Sequence, residues 1–262
     1  MVNLIGGFMY LYYVICFFIL GTVLGSFFNV VGWRLPKGES IVSPPSHCPK
    51  CNHKLKFWEL IPIVSFFLQK GKCTSCNQKI SWFYPVFEFG CGLLFALAFI
   101  AYGFNWQLLI ALTFISMLII VMVSDYNFMI IPDEVLIFFG LMISVEILLI
   151  NGYESLLISL GNGCIAMALI FGLKLFGDFI FKRESMGGGD IKLLFIFGLT
   201  MGWPSAVFAI LLGSIIGLPL SLIILYKNDD HVIPFGPYLN IGALAIILTK
   251  LDINWLINIL CK

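Results

Sequence analysis

Four cysteines form a motif with clear chemical potential, arranged as two Cys-x-x-Cys pairs. The first pair is Cys48 and Cys51, and the second is Cys73 and Cys76. The residues after each pair are also similar, with Asn-His-Lys-Leu after the first and Asn-Gln-Lys-Ile after the second. Two such knuckles, each supplying two thiolates, are what a tetrahedral structural zinc site requires.

Two disulfides or a redox-active pair are the alternatives to zinc for these cysteines. A location in the cytoplasm, which the charge distribution predicts, would keep the thiols reduced, and a repeated pair is not typical of a redox motif. Because four thiolates leave zinc no open position, the metal would fold the loop and take no part in catalysis. His53 aligns with Gln78 and His47 is only adjacent to the first pair, so neither histidine is predicted to be a ligand.

Two aspartates at the ends of apolar segments are candidates for catalysis. Asp125 ends the apolar run 108–123, where a carboxylate opposes the helix macrodipole and costs free energy at the edge of the bilayer. Asp190 directly follows three glycines, Gly187, Gly188 and Gly189. Glycines permit positive φ angles and a close approach of the backbone to a ligand. A helix N-cap is the alternative for Asp190, and a phosphate-binding loop is disfavoured because no Gly-Lys-Ser/Thr follows.

Asp125 and Asp190 belong to two different predicted helices, and the membrane topology described below places both at the same face. Two carboxylates placed in this way suggest an aspartyl dyad. Because two carboxylates a few ångströms apart do not both ionise readily, Asp125 and Asp190 would share a proton. One group would activate water while the other protonates the leaving amide, and the pair would titrate jointly. Hydrolysis of a peptide bond next to the bilayer is the reaction that this pair suits.

The other acidic residues have plain structural alternatives. Asp133 precedes an apolar helix, so helix capping accounts for it at least as well as catalysis does. Glu88 and Glu146 are candidate functional groups, with hydrogen bonding or solvation at the interface as the alternative. Lys174 and Asp178 stand one helical turn apart and are predicted to pair.

The composition requires a membrane protein. Of the 262 residues, 60% are hydrophobic and only 11% are charged, against about 25% charged in a soluble domain. So little charge also excludes intrinsic disorder, and a formal net charge of +1 gives no reason to expect a nucleic-acid partner. The predicted fold class is an all-α polytopic membrane protein in contact with the lipid bilayer.

Apolar segments of about 20 residues predict eight transmembrane helices. They lie at 7–31, 84–102, 107–124, 134–150, 156–181, 191–203, 204–226 and 238–258. The loop 33–83 is rich in lysine and arginine, whereas the connections 103–106 and 151–155 contain neither. The positive-inside rule therefore places this Cys-rich loop and both aspartates at the cytoplasmic face and both termini outside.

These patterns divide the chain into three predicted regions. Residues 1–106 contain the first helix, the zinc-ribbon-like loop 33–83 and the second helix. Residues 107–226 form a membrane core that holds both aspartates, and residues 227–262 contain a loop and the last helix.

Motifs along nearly the whole chain carry a family resemblance. They are Gly25-Ser26-Phe27-Phe28-Asn29-Val30-Val31 with Arg34-Leu35-Pro36, the two cysteine pairs, Ile61-Pro62-Ile63-Val64-Ser65, Ile80-Ser81-Trp82 to Tyr84-Pro85 with Glu88, Asp125 with Ile131-Pro132-Asp133, Met186-Gly187-Gly188-Gly189-Asp190-Ile191-Lys192-Leu193, and Pro234-Phe235-Gly236-Pro237. In this order they resemble the bacterial type IV prepilin peptidases, of the GxGD group of aspartyl proteases. Ser124 departs from the family pattern, in which an apolar residue precedes the first aspartate.

The resemblance implies an endopeptidase at the cytoplasmic face of the bacterial cytoplasmic membrane, with Asp125 and Asp190 as its dyad. Its substrates would be type IV prepilins or pseudopilins, from which the family removes a short basic leader after a glycine, just before an apolar helix. Because this chain keeps the Cys-rich loop, the resemblance also implies N-methylation of the new amino terminus with S-adenosylmethionine. The loop of Gly187, Gly188 and Gly189 would accept the extended scissile segment by backbone pairing.

Two other classes of function are weighed against this one. A proton-coupled transporter would use intramembrane acids as a relay, but such acids are expected at mid-bilayer, whereas Asp125 and Asp190 are predicted near one face. A non-catalytic assembly scaffold would use the zinc loop as a docking module, and changes at the aspartates would then have no effect.

Overall fold

The computed structural model describes residues 2–182, 186–227 and 236–251. Regular structure in this part of the chain is helical apart from two isolated β-bridges. The helices are α1 (Val2–Arg34), α2 (Val64–Leu68), α3 (Phe83–Tyr102), α4 (Gln107–Phe128), α5 (Asp133–Asn151), α6 (Tyr153–Phe181), α7 (Gly188–Met201), α8 (Trp203–Lys227) and α9 (Gly236–Thr249). All of them except the short α2 lie at the predicted apolar segments, so the all-helical fold class is confirmed.

Several helices have the length and composition of membrane spans. Four stretches of the described chain are long and apolar enough to cross a bilayer: Gly7–Lys37, Phe83–Tyr102, Gln107–Phe128 and Tyr153–Ile180. Shorter apolar helices cover Trp203–Pro219 and Gly236–Thr249. The fold is therefore that of a multi-pass membrane protein.

The first of two compact units covers Met1–Phe104 and is built on the antiparallel packing of α1 and α3. A Cβ atom on Gly21 would lie 2.7 Å from the carbonyl oxygen of Cys91, and one on Gly25 would lie 2.7 Å from the Cys91 Cβ. Gly92 makes the reciprocal approach, 2.9 Å from the carbonyl oxygen of Phe18. Small residues four apart let two helices touch backbone to backbone in a membrane, which explains these glycines.

The second unit covers Asn105–Lys262 and has α4 at its centre. In the most apolar window of α4, 78% of the residues are buried, whereas in the window of α6 only 17% are. A helix that is apolar on every side can be surrounded by protein or by lipid, and α4 is surrounded by protein because it packs against both α5 and α9. The helix α7 packs against α6 and α8 and also contacts α5 and α9, the two helices that pack on α4. These shared neighbours hold α4 and α7, which carry the two aspartates, in one unit.

Candidate active site

Asp125 lies in the last turn of α4. The helix ends at Phe128 because Met129 adopts a left-handed conformation with φ 55°, and its N–H donates to the carbonyl oxygen of Asp125 at 2.8 Å. The Asp125 residue is only 6% exposed, and its Oδ2 has no hydrogen-bond partner within the described residues. Because a buried oxygen without a partner costs free energy, Oδ2 is a position where water or substrate would bind favourably.

The turn that follows Asp125 is fixed by hydrogen bonds from side chains. The Ser124 hydroxyl donates to the carbonyl oxygen of Ile130 at 2.5 Å, and Asn127 Nδ2 donates to the carbonyl oxygen of Val123 at 2.7 Å. Ser124 is the residue that departs from the family pattern. Here its hydroxyl has a structural role, since it ties the connection after α4 back to the helix.

Asp190 lies in the first turn of α7 and is half-buried. The helix begins at Gly188 and its N-cap is Gly187, so Asp190 is inside the helix and is not the N-cap that the sequence offered as an alternative. None of the three glycines before Asp190 adopts the positive φ that glycine permits, and Gly188 and Gly189 lie in the first turn of α7. The prediction that these glycines form a loop able to pair with an extended scissile segment is therefore wrong. Gly189 is nevertheless tightly placed, because a Cβ atom there would lie 3.0 Å from the Cβ of Ile131.

The fold brings the two aspartates together from the ends of two helices. The carboxyl groups of Asp125 and Asp190 are close enough to interact electrostatically. Asp125 is near the end of α4 and Asp190 is near the start of α7, so both groups occupy the same end of the second unit. Such a pair can hold one shared proton, which is the requirement for acid–base hydrolysis by two carboxyl groups.

The first residue of α9 completes the surroundings of Asp125. Gly236 is buried, and a Cβ atom there would collide with Asp125 Oδ2. One turn further along α9, the buried Asn240 donates from Nδ2 to the carbonyl oxygen of Leu118 at 3.5 Å, which joins α9 to α4. The sequence marks Gly236 only by its position in Pro-Phe-Gly-Pro before an apolar segment, and Pro234 and Phe235 lie outside the described residues.

Asp133 has a structural partner outside the dyad. Lys192 Nζ lies 2.8 Å from its Oδ1 and 2.7 Å from its Oδ2, so the start of α5 is joined to the first turns of α7. The helix α5 begins at Asp133 and its N-cap is Pro132, with no side-chain hydrogen bond to the cap. Capping, one of the two roles that the sequence leaves open for Asp133, is therefore not its role, because Asp133 is the first residue of α5 and Pro132 is the N-cap. Its carboxylate pairs with Lys192 instead.

Glu146 also has a structural role in this unit. Its Oε1 accepts a hydrogen bond from the Thr113 hydroxyl at 2.7 Å, which joins α5 to α4. Thr113 is near the start of α4, whereas Asp125 is near its end, so this hydrogen bond lies far from the dyad along the helix.

The four paired cysteines form one cluster, as their spacing predicts. The Sγ atoms of Cys48, Cys51, Cys73 and Cys76 all lie within 4.8 Å of one another, and all four thiols are free. The Sγ atoms of Cys48 and Cys76 are 3.8 Å apart, and those of Cys51 and Cys73 are 3.9 Å apart. In a tetrahedral site with Zn–S bonds of about 2.3 Å the sulfurs are about 3.8 Å apart, so the donor set and its spacing fit a zinc ion.

The two knuckles repeat in structure as well as in sequence. The N–H of Cys48 donates to the carbonyl oxygen of His53 at 3.0 Å, and the N–H of Cys73 donates to that of Gln78 at 2.8 Å. Asn52 and Asn77 both have positive φ, at 55° and 57°. In the first knuckle, the backbone N–H groups of Cys51 and Lys50 lower the pKa of the Cys48 thiol to about 6, which favours the thiolate that a metal binds.

Both histidines near the cluster are engaged elsewhere, in agreement with the sequence prediction. His53 Nε2 lies 3.2 Å from Glu59 Oε2, and His47 Nδ1 lies 3.0 Å from the carbonyl oxygen of Pro45. Glu59 links the two knuckles, because it accepts hydrogen bonds from the Lys56 N–H and His53 on the first side and from the Thr74 hydroxyl on the second. These hydrogen bonds hold the pKa of the Glu59 carboxyl below its usual value. Glu59 is therefore ionised at neutral pH, where it can keep these partners.

Two family models match most of the chain in adjacent stretches. The model of the bacterial peptidase A24 N-terminal domain matches residues 19–102, and that of the type IV leader peptidase family matches residues 112–222. The first match covers the two cysteine pairs, and the second covers Asp125 and Asp190. No solved structure was found that matches this chain.

Bacterial proteins named prepilin leader peptidase/N-methyltransferase are similar over most of their length. The one from Bacillus subtilis is 38% identical over 87% of this chain and 90% of its own. The one from Pseudomonas aeruginosa is 34% identical over 88% of this chain and 88% of its own length. The one from Stutzerimonas stutzeri is 31% identical over 90% of this chain and 90% of its own length. From these matches and the helical fold that holds both aspartates, the chain belongs to the type IV leader peptidase family.

Proposed function

We propose that this protein is an aspartic endopeptidase of the bacterial cytoplasmic membrane. It removes the leader of type IV prepilins or pseudopilins and methylates the new amino terminus with S-adenosylmethionine. The names of its relatives, prepilin leader peptidase/N-methyltransferase, support both activities. The observation that supports the peptidase assignment is that Asp125 and Asp190 lie at the same end of the second unit, close enough for their charges to interact. Gly236 leaves room for the Asp125 carboxylate there.

Peptide hydrolysis follows from the two carboxyl groups. With one proton between them, the ionised carboxylate takes a proton from water as that water attacks the scissile carbonyl carbon. The protonated carboxyl group gives its proton to the amide nitrogen as the C–N bond breaks. The Oδ2 atom of Asp125, which has no hydrogen-bond partner among the described residues, can accept the hydrogen bond from the attacking water.

The membrane arrangement suits a substrate with a basic leader and an apolar helix. In this arrangement α1 and the seven helices α3 to α9 cross the membrane, both termini are outside, and the dyad faces the cytoplasm. With 14 residues at about 1.5 Å each, α7 is about 21 Å long, short of the roughly 30 Å hydrocarbon core. A short α7 leaves Asp190 in a recess that water can reach, while the substrate helix stays in lipid and its leader stays in the cytoplasm.

The function is tested with membranes that contain the wild-type chain and a type IV prepilin. N-terminal sequencing and mass spectrometry should show a pilin that begins after the leader glycine and carries one methyl group. Membranes without the chain, and membranes with the Asp125→Asn plus Asp190→Asn double variant, should leave the precursor intact. An intact precursor with the wild type, or cleavage by the double variant at matched expression, would overturn the proposal.

The four-cysteine cluster is proposed to hold one structural zinc ion. Purified wild-type protein should contain about one zinc per chain by mass spectrometry of metals, and Cys48→Ser or Cys73→Ser should lose it, because each removes a buried thiolate. Limited proteolysis should then cut the loop at its lysines, since so small a segment lacks a core of its own. Cys164→Ser, which changes an exposed cysteine outside the cluster, is the matched control. A folded loop without zinc would contradict this assignment.

Asp133→Asn is expected to cleave prepilin within about threefold of the wild-type rate. The ion pair that it breaks is roughly half exposed at both ends, with side chains 54% and 55% accessible, and exposed pairs contribute about 0–1 kcal/mol. The measurement is the initial rate of leader removal by mobility shift, with Lys192→Gln as the matched change on the other side. A loss as large as that of a dyad variant would place Asp133 in the catalytic machinery.

A further inference from the structure

Two buried polar side chains of the first unit, Asn29 and Glu88, have no part in the peptidase chemistry proposed above. Asn29 on α1 is only 3% exposed, and neither its Oδ1 nor its Nδ2 has a hydrogen-bond partner in the part of the chain that the structure describes. Glu88 on α3 is 9% exposed. A Cβ atom on Gly25 would lie 3.3 Å from the Glu88 Cα, and Asn29 is one turn along α1 from Gly25. The two buried polar side chains therefore belong to one packed helix pair.

Glu88 is held in place by donors from two other elements. The N–H of Ile63 donates to Glu88 Oε2 at 2.8 Å, and the Ser26 side chain also hydrogen-bonds this carboxylate. Ile63 adopts φ 61°, a conformation that a β-branched residue rarely takes. The loop between the two cysteine knuckles thus places a strained backbone N–H on Glu88, and such strain is a common mark of functional sites.

The cluster lies just inside one end of the helix pair. Asn29 is five residues before the end of α1 at Arg34, and Glu88 is five residues after the start of α3 at Phe83. At about 1.5 Å per residue, each residue lies about 7.5 Å from the end of its own helix, on the side where the Cys-rich loop joins the helices. A buried carboxylate and an unpaired amide here can receive a cationic group at the head of an apolar helix.

We propose that Asn29 and Glu88 form the methyl-acceptor site, which binds the amino-terminal ammonium of the processed pilin. This assignment rests on the proposed function. After leader removal the pilin begins with a primary ammonium followed by an apolar helix, so the charge must be neutralised near the membrane boundary. The Glu88 carboxylate supplies the opposite charge. The Asn29 amide supplies an acceptor for the ammonium and a donor for the first carbonyl oxygen of the pilin.

Glu88 has a chemical task as well as a binding one. An ammonium has no lone pair, so it must give one proton to the Glu88 carboxylate before it can react. S-adenosylmethionine supplies an electrophilic methyl group on sulfur. The amine nitrogen forms its bond to that methyl carbon while the carbon–sulfur bond breaks, and the electron pair of that bond stays on sulfur. The product is a positively charged methylammonium, and the first proton remains on Glu88 until water removes it.

Methylation is tested apart from cleavage by giving the enzyme pilin that already lacks its leader. Glu88→Gln keeps an acceptor for the Ile63 N–H but takes no proton, and it should lower the methylation rate at least about 100-fold. Asn29→Leu has a similar shape and breaks no hydrogen bond of the described structure, so it should fold and also lose methylation. Glu146→Gln, which changes a buried glutamate of the second unit, is the matched control and should methylate normally. Wild-type methylation by Glu88→Gln would overturn the proposal.

Binding without any methyl donor gives a second readout. A peptide with the mature pilin amino terminus is compared with its N-acetylated form, using fluorescence anisotropy in lipid nanodiscs. The wild type should bind the free amine at least about tenfold more tightly, because an ion pair in a buried site contributes more than 1.4 kcal/mol. Glu88→Gln should bind both forms equally. A wild type that does not distinguish the two peptides would overturn the acceptor site.

The two proposals fail in different ways. Asp125→Asn, which removes one member of the dyad, should still methylate mature pilin. Glu88→Gln should still cleave the precursor, and this cleavage shows that the variant is folded. If Asp125→Asn cleaves the precursor, the peptidase assignment is wrong and the methylation result stands. If Glu88→Gln methylates mature pilin, the acceptor site is wrong and the peptidase assignment stands.

Discussion

Asp125→Asn is expected to reduce prepilin cleavage at least about 1,000-fold, and Asp190→Asn is expected to do the same. Asparagine has the size of aspartate but takes up no proton. With one asparagine in the pair, the site lacks either the base that activates water or the acid that protonates the leaving amide. Asp125 is buried and Asp190 is half-buried, so bulk water is a poor substitute for the missing group. Equal, severe losses would show that the two carboxyl groups act as one unit.

Initial rates of leader removal, at matched expression and with N-terminal sequencing of the product, measure this effect. Asp133→Asn is the matched control, because it makes the same chemical change at the first residue of α5 but only breaks an exposed ion pair. Cleavage that survives in either dyad variant would rule out the aspartyl mechanism. Such a result would bring forward the scaffold function, in which the cysteine loop is the active part.

Gly236→Ala is expected to reduce cleavage about 100-fold or more. The added methyl group would collide with Asp125 Oδ2 and lie 3.0 Å from its Cγ, so either the carboxylate or the start of α9 must move. A displacement of about 1 Å at a catalytic group costs about 100-fold in rate. Alanine favours a helix over glycine by about 1 kcal/mol, so the loss would come from position and not from a weaker helix.

Gly172→Ala is the matched control for this prediction, since that glycine is in α6 and a Cβ atom there meets nothing within 4 Å. Both variants should reach wild-type levels in the membrane, which immunoblotting checks. The rate of prepilin cleavage then separates them. Full activity of Gly236→Ala would mean that the start of α9 does not shape the Asp125 side of the site.

The helices that follow apolar runs, α1 and α3 to α9, and the cysteine cluster are predictable from the sequence because their signals are local. An apolar run needs a helix wherever it crosses lipid, since its backbone groups have no other partners there. The two knuckles are visible as a repeat, and each closes with the same hydrogen bond, from Cys48 to His53 and from Cys73 to Gln78. The ends of α3 follow the sequence closely, at Phe83–Tyr102 for a predicted 84–102. The prediction for the last segment, 238–258, is wrong at its end, because α9 stops at Thr249, where Lys250 adopts a positive φ of 53°.

Contacts between distant segments are what the sequence does not provide. The approach of Gly236 to Asp125 and the ion pair of Asp133 with Lys192 depend on how α4, α7 and α9 pack. The hydrogen bond from Ile63 to Glu88 depends on a strained turn in the loop, which composition does not signal. For Asp133 the local pattern even favoured a cap, because the lysine that binds it is far along the chain.

The order of the helices has a consequence for biosynthesis. The ribosome makes Asp125 first, Asp190 later and Gly236 last, and Gly236 begins the final described helix. A nascent chain therefore has no finished dyad surroundings until α9 has left the ribosome and reached the bilayer. A truncated product that stops before α9 would insert most of its helices and carry both aspartates, yet the Asp125 carboxylate would have lost one wall of its site.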